Sequence, residues 1–482
     1  MTTGAYRKTY DASVRDPEAF WGEAAKDIDW ITPPTKVLDD SNAPFYRWFP
    51  DATLNTCFNA LDRHVAERRR PGGDPLRLAR HRHETLLHVC RGAGASAAAR
   101  RCARRALVSS RATGLSCYMP MVPEAVFAML ACARIGAVHS VVFGGFAPAE
   151  LAARIDDAQP KVILSASCGI EPSRVVPYKP FLDEAIDRSE HKPEVVVMLQ
   201  REQCEASLRE GDVDWREFVS SAAAEAGADC VEVAATDPLY ILYTSGTTGR
   251  PKGIYRDNGG HAVALPVVDA QHLRRRTRPD DVHRERRRLG RRPLLHRLRA
   301  RCSTGATTIV YEGKPVGTPD AGAFWRIVSE YQAVTMFTAP TAIRAIKTRR
   351  PRGCAHRRLR PVALRHPLSS QVSGSTPTPT TGLTTSSASR SSTTGGRPRP
   401  AGPSPPTRKS LEDLPIKPGS PSVRVPGYQV AGPRRGRRQG RSRHRRRDLH
   451  QAPAPSRHLP DALTTTTSAS SPATWRHTPA TT

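Results

Sequence analysis

Acidic side chains are scarce in this sequence: 45 Asp and Glu stand against 74 Lys and Arg, a formal charge of +29. Apolar residues are short too, at 38% of 482 residues with 6% aromatic, where a compact enzyme runs nearer about 45–50% apolar. A chain of this length can bury a large core over two or three domains, so the deficit puts part of it outside any core. The ten cysteines contain no CxxC pair and no zinc spacing. That excludes a disulfide framework or a zinc module and implies reduced cytosolic thiols. A basic-then-apolar leader is absent, since Asp11, Asp16, Glu18 and Glu23 come early. The most apolar region, Val126 to Phe146, is broken by Arg134 and His139 and is no membrane span. The expected location is cytoplasmic, with no membrane partner. The G-x-x-x-x-G-K-[ST] spacing of the common P-loop is also missing.

What is present is a different phosphate cradle. A β-prone run from Leu239 to Tyr243 feeds Thr244, Ser245, Gly246, Thr247, Thr248 and Gly249, followed by Arg250, Pro251, Lys252 and Gly253. Glycines let backbone N–H groups turn toward an anion, hydroxyls add donors, and Lys252 adds a point charge. The blander alternative is a Ser/Thr/Gly turn between strands. The loop resembles the signature of the AMP-forming acyl-adenylate enzymes, acyl-CoA synthetases among them. Arg256 through Leu265, which reads RDNGGHAVAL, resembles the propionyl-CoA branch.

Composition divides the chain sharply. Residues 1–67 resemble the N-terminal region of acetyl-CoA synthetases. There, Asp16 as cap and Pro17 at the first helical position predict one helix, and Asn55 opens a second. Residues 68–117 form an aberrant basic segment. Order returns in 118–265, the expected adenylating core with the nucleotide loop. Val126, Met129, Leu130 and Ala133 fall at helical spacing, and Gly136 to Phe143 reads as a strand buried on both faces. Glu150 to Ala158 reads as a helix, and strands are expected at Pro160–Leu164, Val195–Leu199 and Leu239–Tyr243. That alternation predicts an α/β fold with layered, mostly parallel sheets. Residues 266–302 are again aberrant, with 13 arginines in the 28 residues from Arg274 to Arg301. The core resumes over 303–349. Beyond it, 350–482 is mostly Arg, Pro, Ser and Thr, apart from a family-like island at 410–430.

The basic stretches admit three readings. Clustered arginine binds phosphate backbones, and a solvated disordered segment has the same composition. The third is that these blocks are the family's own gene translated in a shifted frame. GC-rich DNA for Ala-Ser-Asp-Val-Gly-Trp-Val-Val-Gly-His-Ser-Tyr-Ile-Val-Tyr, which holds the family's Gly-Trp-Val-x-Gly-His-Ser-Tyr segment, gives, out of frame, Arg284 through Leu298 as they stand here. The family's Trp-Trp-Gln-Thr-Glu motif gives Thr394-Gly395-Gly396-Arg397-Pro398-Arg399. We favour the third reading, and expect coil in the blocks because arginine buried there would lack partners. Nucleic acid is then no expected partner. The rival is a non-enzymatic, partly disordered basic polypeptide that binds nucleic acid non-specifically.

The resemblance implies a large adenylating domain and a ligase for a short carboxylate, propionate first and acetate next, with ATP, Mg2+ and CoA. It assigns Thr244, Ser245, Gly246, Thr247, Thr248, Gly249 and Lys252 to the ATP phosphates and Arg174 to CoA. A second arginine of the acetyl-CoA branch is Glu171 here. Ala339 aligns near the acyl group and the CoA thiol, while His139 and His261 read as structural. No protein metal ligand is assigned. The acyl-pocket Trp, the Mg2+-serving Glu of the adenylate motif, the ribose-binding Asp, the hinge and the adenylation Lys of the small C-terminal domain are not found. That small domain is expected to be missing or scrambled. Independent resequencing of the gene should reveal alternative-frame open segments across codons 284–298 and 394–399; a closed frame there sinks the shifted-frame reading.

Overall fold

The computed structural model describes residues 4–43, 45–64, 75–80, 84–88, 114–221, 229–244, 251–273, 288–290, 309–331, 335–338, 340–349, 369–371, 392–394, 424–428, 430–431 and 449–450. The first two helices are α1 (Ala5–Arg15) and α2 (Pro17–Ala25). Asp16 starts α2 as expected, its carboxylate accepting from the Ala19 N–H at 2.8 Å with Pro17 behind it. Asn55 also caps, accepting from the N–H groups of Cys57 and Phe58. The turn that follows is π-helical over Phe58–Asp62 rather than a regular α-helix.

One sheet carries most of the described chain. Its strands are β1 (Gly114–Met119), β2 (Val138–Phe143), β3 (Val162–Ala166), β4 (Val195–Leu199), β5 (Asp212–Asp214), β6 (Pro238–Thr244) and β7 (Lys252–Asp257). They lie in the order β5-β4-β3-β1-β2-β6-β7. Every neighbouring pair is parallel except the β6–β7 hairpin at one edge. Helices α3 (Pro123–Ile135), α4 (Pro148–Ala158), α5 (Lys179–Arg188) and α6 (Trp215–Ser221) make the crossovers. Because side chains alternate along a strand, Leu115, Cys117 and Met119 face α3 and α6. Tyr118, Val142 and Ile163 face α4 and α5. Helix α3 ends at Gly136, whose φ of +72° suits a residue without a β-carbon.

Helix α3 is apolar all round because it is covered on two sides. Ala125, Ala128, Ala131 and Cys132 pack on the first sheet. Val126, Met129, Leu130 and Ala133 pack with Cys57, Tyr240 and Val310. Val310 belongs to a second sheet with strand order 392–394, 369–371, 335–338, 288–290, 309–312, 75–80, 84–88. All its pairs are parallel but the last. Helices α8 (Ala323–Glu330) and α9 (Pro340–Arg349) cover it through Phe324, Trp325, Val328, Ile343 and Ile346. The number α7 is given to Asn258–Leu273.

Three expectations need correction. Strand β1 starts at Gly114, ahead of the expected boundary at 118, because Leu115 and Cys117 bury against α3. Helix α7 runs on past residue 265 through Pro266, and Val267 packs on the same apolar group as Val263. Backbone strands, not coil, occupy 75–80, 84–88, 288–290, 369–371 and 392–394, where ladder pairing with neighbours satisfies the main chain. Residues 424–428, within the 410–430 stretch, dock on the N-terminal helices. The Tyr6 hydroxyl donates to the Arg424 carbonyl at 3.0 Å, the Gly427 N–H donates to Ser13 Oγ at 2.7 Å, and Tyr428 meets Trp21 edge-on.

The two sheets are joined by a buried ion pair. Arg201, just after β4, donates through both Nη atoms to Glu312 at 2.8 Å, with both side chains no more than 7% exposed. Breaking one side leaves a buried charge unpaired, so Glu312→Gln should cost about 3–5 kcal/mol. The double change Arg201→Met with Glu312→Leu should cost much less. Urea unfolding measures both; a Glu312→Gln loss no larger than the double variant's refutes it.

Candidate active site

In a parallel sheet the carboxyl ends of all strands share one edge, and open α/β sheets bind ligands in the crevice outside that edge. Thr244 closes β6 at that edge, and Lys252 opens β7 directly opposite it in the ladder. The chain from 245 to 251 joins the two strands. Ser245, Gly246, Thr247, Thr248 and Gly249 lie outside the described residues, as does Ala339. Lys252 is half-buried. Arg174 sits in the turn between strands Cys168–Ile170 and Val175–Pro177, which follow β3. That hairpin therefore leaves the sheet from the same edge, at a strand three places from β6.

The base of the hairpin is braced from α4. The Tyr243 hydroxyl donates to Asp157 Oδ2 at 2.5 Å, and the Arg154 guanidinium lies 5.6 Å from the Tyr243 ring centroid. Gly253 is Tyr243's partner in the ladder. A β-carbon there would stand 3.2 Å from both Asp157 Oδ2 and the Tyr243 ring, so only glycine clears the brace without a shift. Burial, with Asp157 beside it, pushes the Tyr243 hydroxyl well above its ordinary value. Asp157 was legible in principle. An acid in the last turn of a helix opposes the helix dipole, which signals a partner elsewhere.

Arg174 is not a free cation. Its Nε donates to Glu171 Oε2 at 3.3 Å, and Glu171 Oε1 takes Lys314 Nζ at 3.2 Å. Burial works to raise the Glu171 carboxyl, and the Lys314 and Arg174 cations outweigh it, holding it below the usual range. Lys314 lies 5.7 Å from the ring centroid of Phe143, the last residue of β2. Sequence reasoning named Glu171 only as a departure and gave Lys314 no role; their pairing spans the two sheets. His139 and His261 are buried on either side of Tyr240, at 5.7 and 5.1 Å between ring centroids.

A family model described as "AMP-binding enzyme" matches residues 97–398, and one described as "Acetyl-coenzyme A synthetase N-terminus" matches 6–60. The chain belongs to the AMP-binding enzyme family. It is 42% identical over 373 residues to the rat "Acyl-CoA synthetase short-chain family member 3, mitochondrial", covering 72% of this chain and 51% of that protein. To the "Propionate--CoA ligase" of Escherichia coli K12 it is 40% identical over 352 residues, covering 71% of this chain and 54% of that protein. The chain thus spans about half the length of the curated relatives it matches. Among solved structures, "Acetoacetyl-CoA Synthetase from Streptomyces lividans" superposes with a TM-score of 0.75 at 22% identity, covering 88% of this chain and 64% of that one. The AMP-binding fold, a large adenylate-forming α/β domain, is therefore that of this chain.

Removing the Tyr243 hydroxyl should loosen the hairpin by about 1 kcal/mol, the usual worth of one such hydrogen bond near the surface. The pH response follows from the raised hydroxyls. Burial lifts Tyr118 from 10.0 to about 12, and Tyr243 also rises. A folded value above the unfolded one means the contribution is intact below pH 10 and is lost as pH climbs through the folded value. Thermal unfolding should show Tm falling between about pH 10 and 12, less steeply in Tyr243→Phe. An identical slope in the variant would remove Tyr243 from this account.

Proposed function

We propose that this chain derives from an ATP-dependent, AMP-forming ligase that joins a short carboxylate to CoA, with propionate first and acetate next. The observation that carries it is the Thr244-to-Lys252 hairpin tip at the carboxyl edge of a parallel sheet, inside the segment that matches the family model. The RDNGGHAVAL run from Arg256 and the likeness to a propionate ligase support propionate.

In the first half-reaction a carboxylate oxygen attacks the α-phosphorus of ATP, the bond to pyrophosphate breaks, and acyl-AMP forms. The CoA sulfur then attacks the acyl carbon and AMP leaves. Such a step is governed by positioning and charge neutralisation. Thr244, Ser245, Gly246, Thr247, Thr248 and Gly249 supply donors to the β- and γ-phosphates, and Lys252 adds its charge. Arg174 serves a CoA phosphate on this reading, with Glu171 dividing its charge between that arginine and Lys314. Ala339 borders the acyl group. Magnesium arrives with the nucleotide as part of the substrate. Among the described residues no group of three His, Cys, Asp or Glu is set to hold a metal.

The chain as written is impaired on this reading, because the acyl pocket and adenylate motif fall in the shifted blocks. The family model's match spans residues 97–398, so the block from Arg274 to Arg301 falls within its bounds. We assign the protein to the cytoplasm; among the described residues no helix is long and apolar enough to cross a membrane.

The test is propionate-dependent pyrophosphate release with hydroxylamine trapping of the acyl group. The chain as written should give little or no hydroxamate, and a frame-restored version should give it readily. In that version Lys252→Ala should weaken ATP binding about tenfold, the worth of one charge-assisted contact. Robust turnover by the original chain overturns the impairment, and a frame-restored chain inert toward every short carboxylate overturns the ligase.

A further inference from the structure

Away from the hairpin, two thiols meet where the N-terminal region joins the first sheet. The strand Thr53–Leu54 runs antiparallel to Val233–Ala234, with Leu54 opposite Val233 and Thr53 opposite Ala234. Past that pair Asn55 caps a helical turn that carries Cys57 and Asp62, while Cys230 lies on the segment that leads into Val233. The two chains stay together past the last ladder pair, since Asn55 Nδ2 donates to the Val231 carbonyl at 2.7 Å and the Val231 N–H to the Arg134 carbonyl at 2.8 Å. Cys57 and Cys230 thereby reach the same ion pair, and a hydrogen bond joins the two thiols.

A shared ion pair differentiates the two sulfurs. Arg134 Nη1 donates to Asp62 Oδ2 at 2.9 Å and to Cys57 Sγ at 3.9 Å, while Cys230 Sγ donates to the same Asp62 oxygen at 3.8 Å. The hydrogen bond from Cys230, helped by the Arg134 cation, holds the Cys57 thiol below its ordinary value. The same hydrogen bond, then burial and Asp62, push Cys230 up. Cys57 is buried and Cys230 is half-buried, so Cys230 carries the pair toward solvent. The contrast is Cys117, which burial lifts to about 12; such a thiol is inert.

We infer that Cys57 and Cys230 form an oxidisable pair that closes to a disulfide on exposure to a hydroperoxide, tying the N-terminal region to the strand that leads into β6. The Cys57 thiolate attacks one peroxide oxygen, the O–O bond breaks, and one water leaves as a sulfenic acid forms. The Cys230 sulfur then attacks that sulfur: the S–S bond forms, the S–O bond breaks, and the hydroxide departs with the Cys230 proton as a second water. Two thiols lose two electrons and one peroxide gains them. All four side chains lie outside the altered blocks, and the inference stands whether or not the ligase reading holds.

The experiment uses the full reduced chain, treated with hydrogen peroxide, alkylated with N-ethylmaleimide and digested without reductant for peptide mass spectrometry. A peptide linked through Cys57 and Cys230 should appear, vanish on reduction, and exceed its yield from guanidinium-unfolded chain by about tenfold, because thiol pairing follows access and proximity. In Cys230→Ser the link should be lost and Cys57 should be trapped by dimedone as the sulfenic acid, with circular dichroism unchanged. Equal yields from native and unfolded chain, full alkylation of both thiols after peroxide, or Cys57 linked to another cysteine would each overturn the pair.

Discussion

Two buried charges hold the architecture together. Arg201 leaves β4 and meets Glu312 at the end of a strand in the other sheet, with 111 residues of chain between them. Neither charge is tolerable alone at that depth, so each fixes where the other's sheet can sit. Around this pair the contact widens: Lys314 reaches Glu171, and Gly317, at a φ of +84°, presses its backbone against Pro172. The carboxyl edges of the two sheets are thereby brought to one seam. The turn bearing Arg174 lies at it.

Helix α3 supports the same arrangement from inside. Its small residues lie on the first sheet, and its larger ones face the layer that includes Val310. A helix with one polar face could not fill that place, because both flanks exclude water. Its capping is equally local, with Pro123 at the start and Gly136 at the end. The result is a rigid slab beneath β1 and β2. Loops at the carboxyl edge can then differ in sequence without moving the strands that carry them.

The first sheet was legible because its signals are local. Asp16-Pro17, the apolar spacing from Val126 to Ala133 and the β-branched run before Phe143 each specify an element within about a dozen residues. The braces were not legible. Tyr243 and Asp157 are 86 residues apart, and Glu171 pairs with Lys314 across the sheet boundary; no periodicity records such distances. Ladder pairing in the second sheet was hidden as well. Strand 75–80 joins 309–312 only through topology, and its own composition argued for coil. Thr244 and Lys252 face each other at the ends of β6 and β7, whereas Ser245 to Gly249 and Ala339 lie outside what the structure describes.

The docking of Arg424 to Tyr428 on α1 and α2 has a consequence for how the chain is made. Tyr6 and Ser13 find their partners 418 and 414 residues later. At ribosomal speed that separation is roughly 20 to 80 s. Throughout that interval the face of Trp21 that Gly427 and Tyr428 will cover stays open to water or to other apolar surfaces in the cell. Helices α1 and α2 are thus made well before the residues that seal them, and until then their apolar face depends on chaperones for cover.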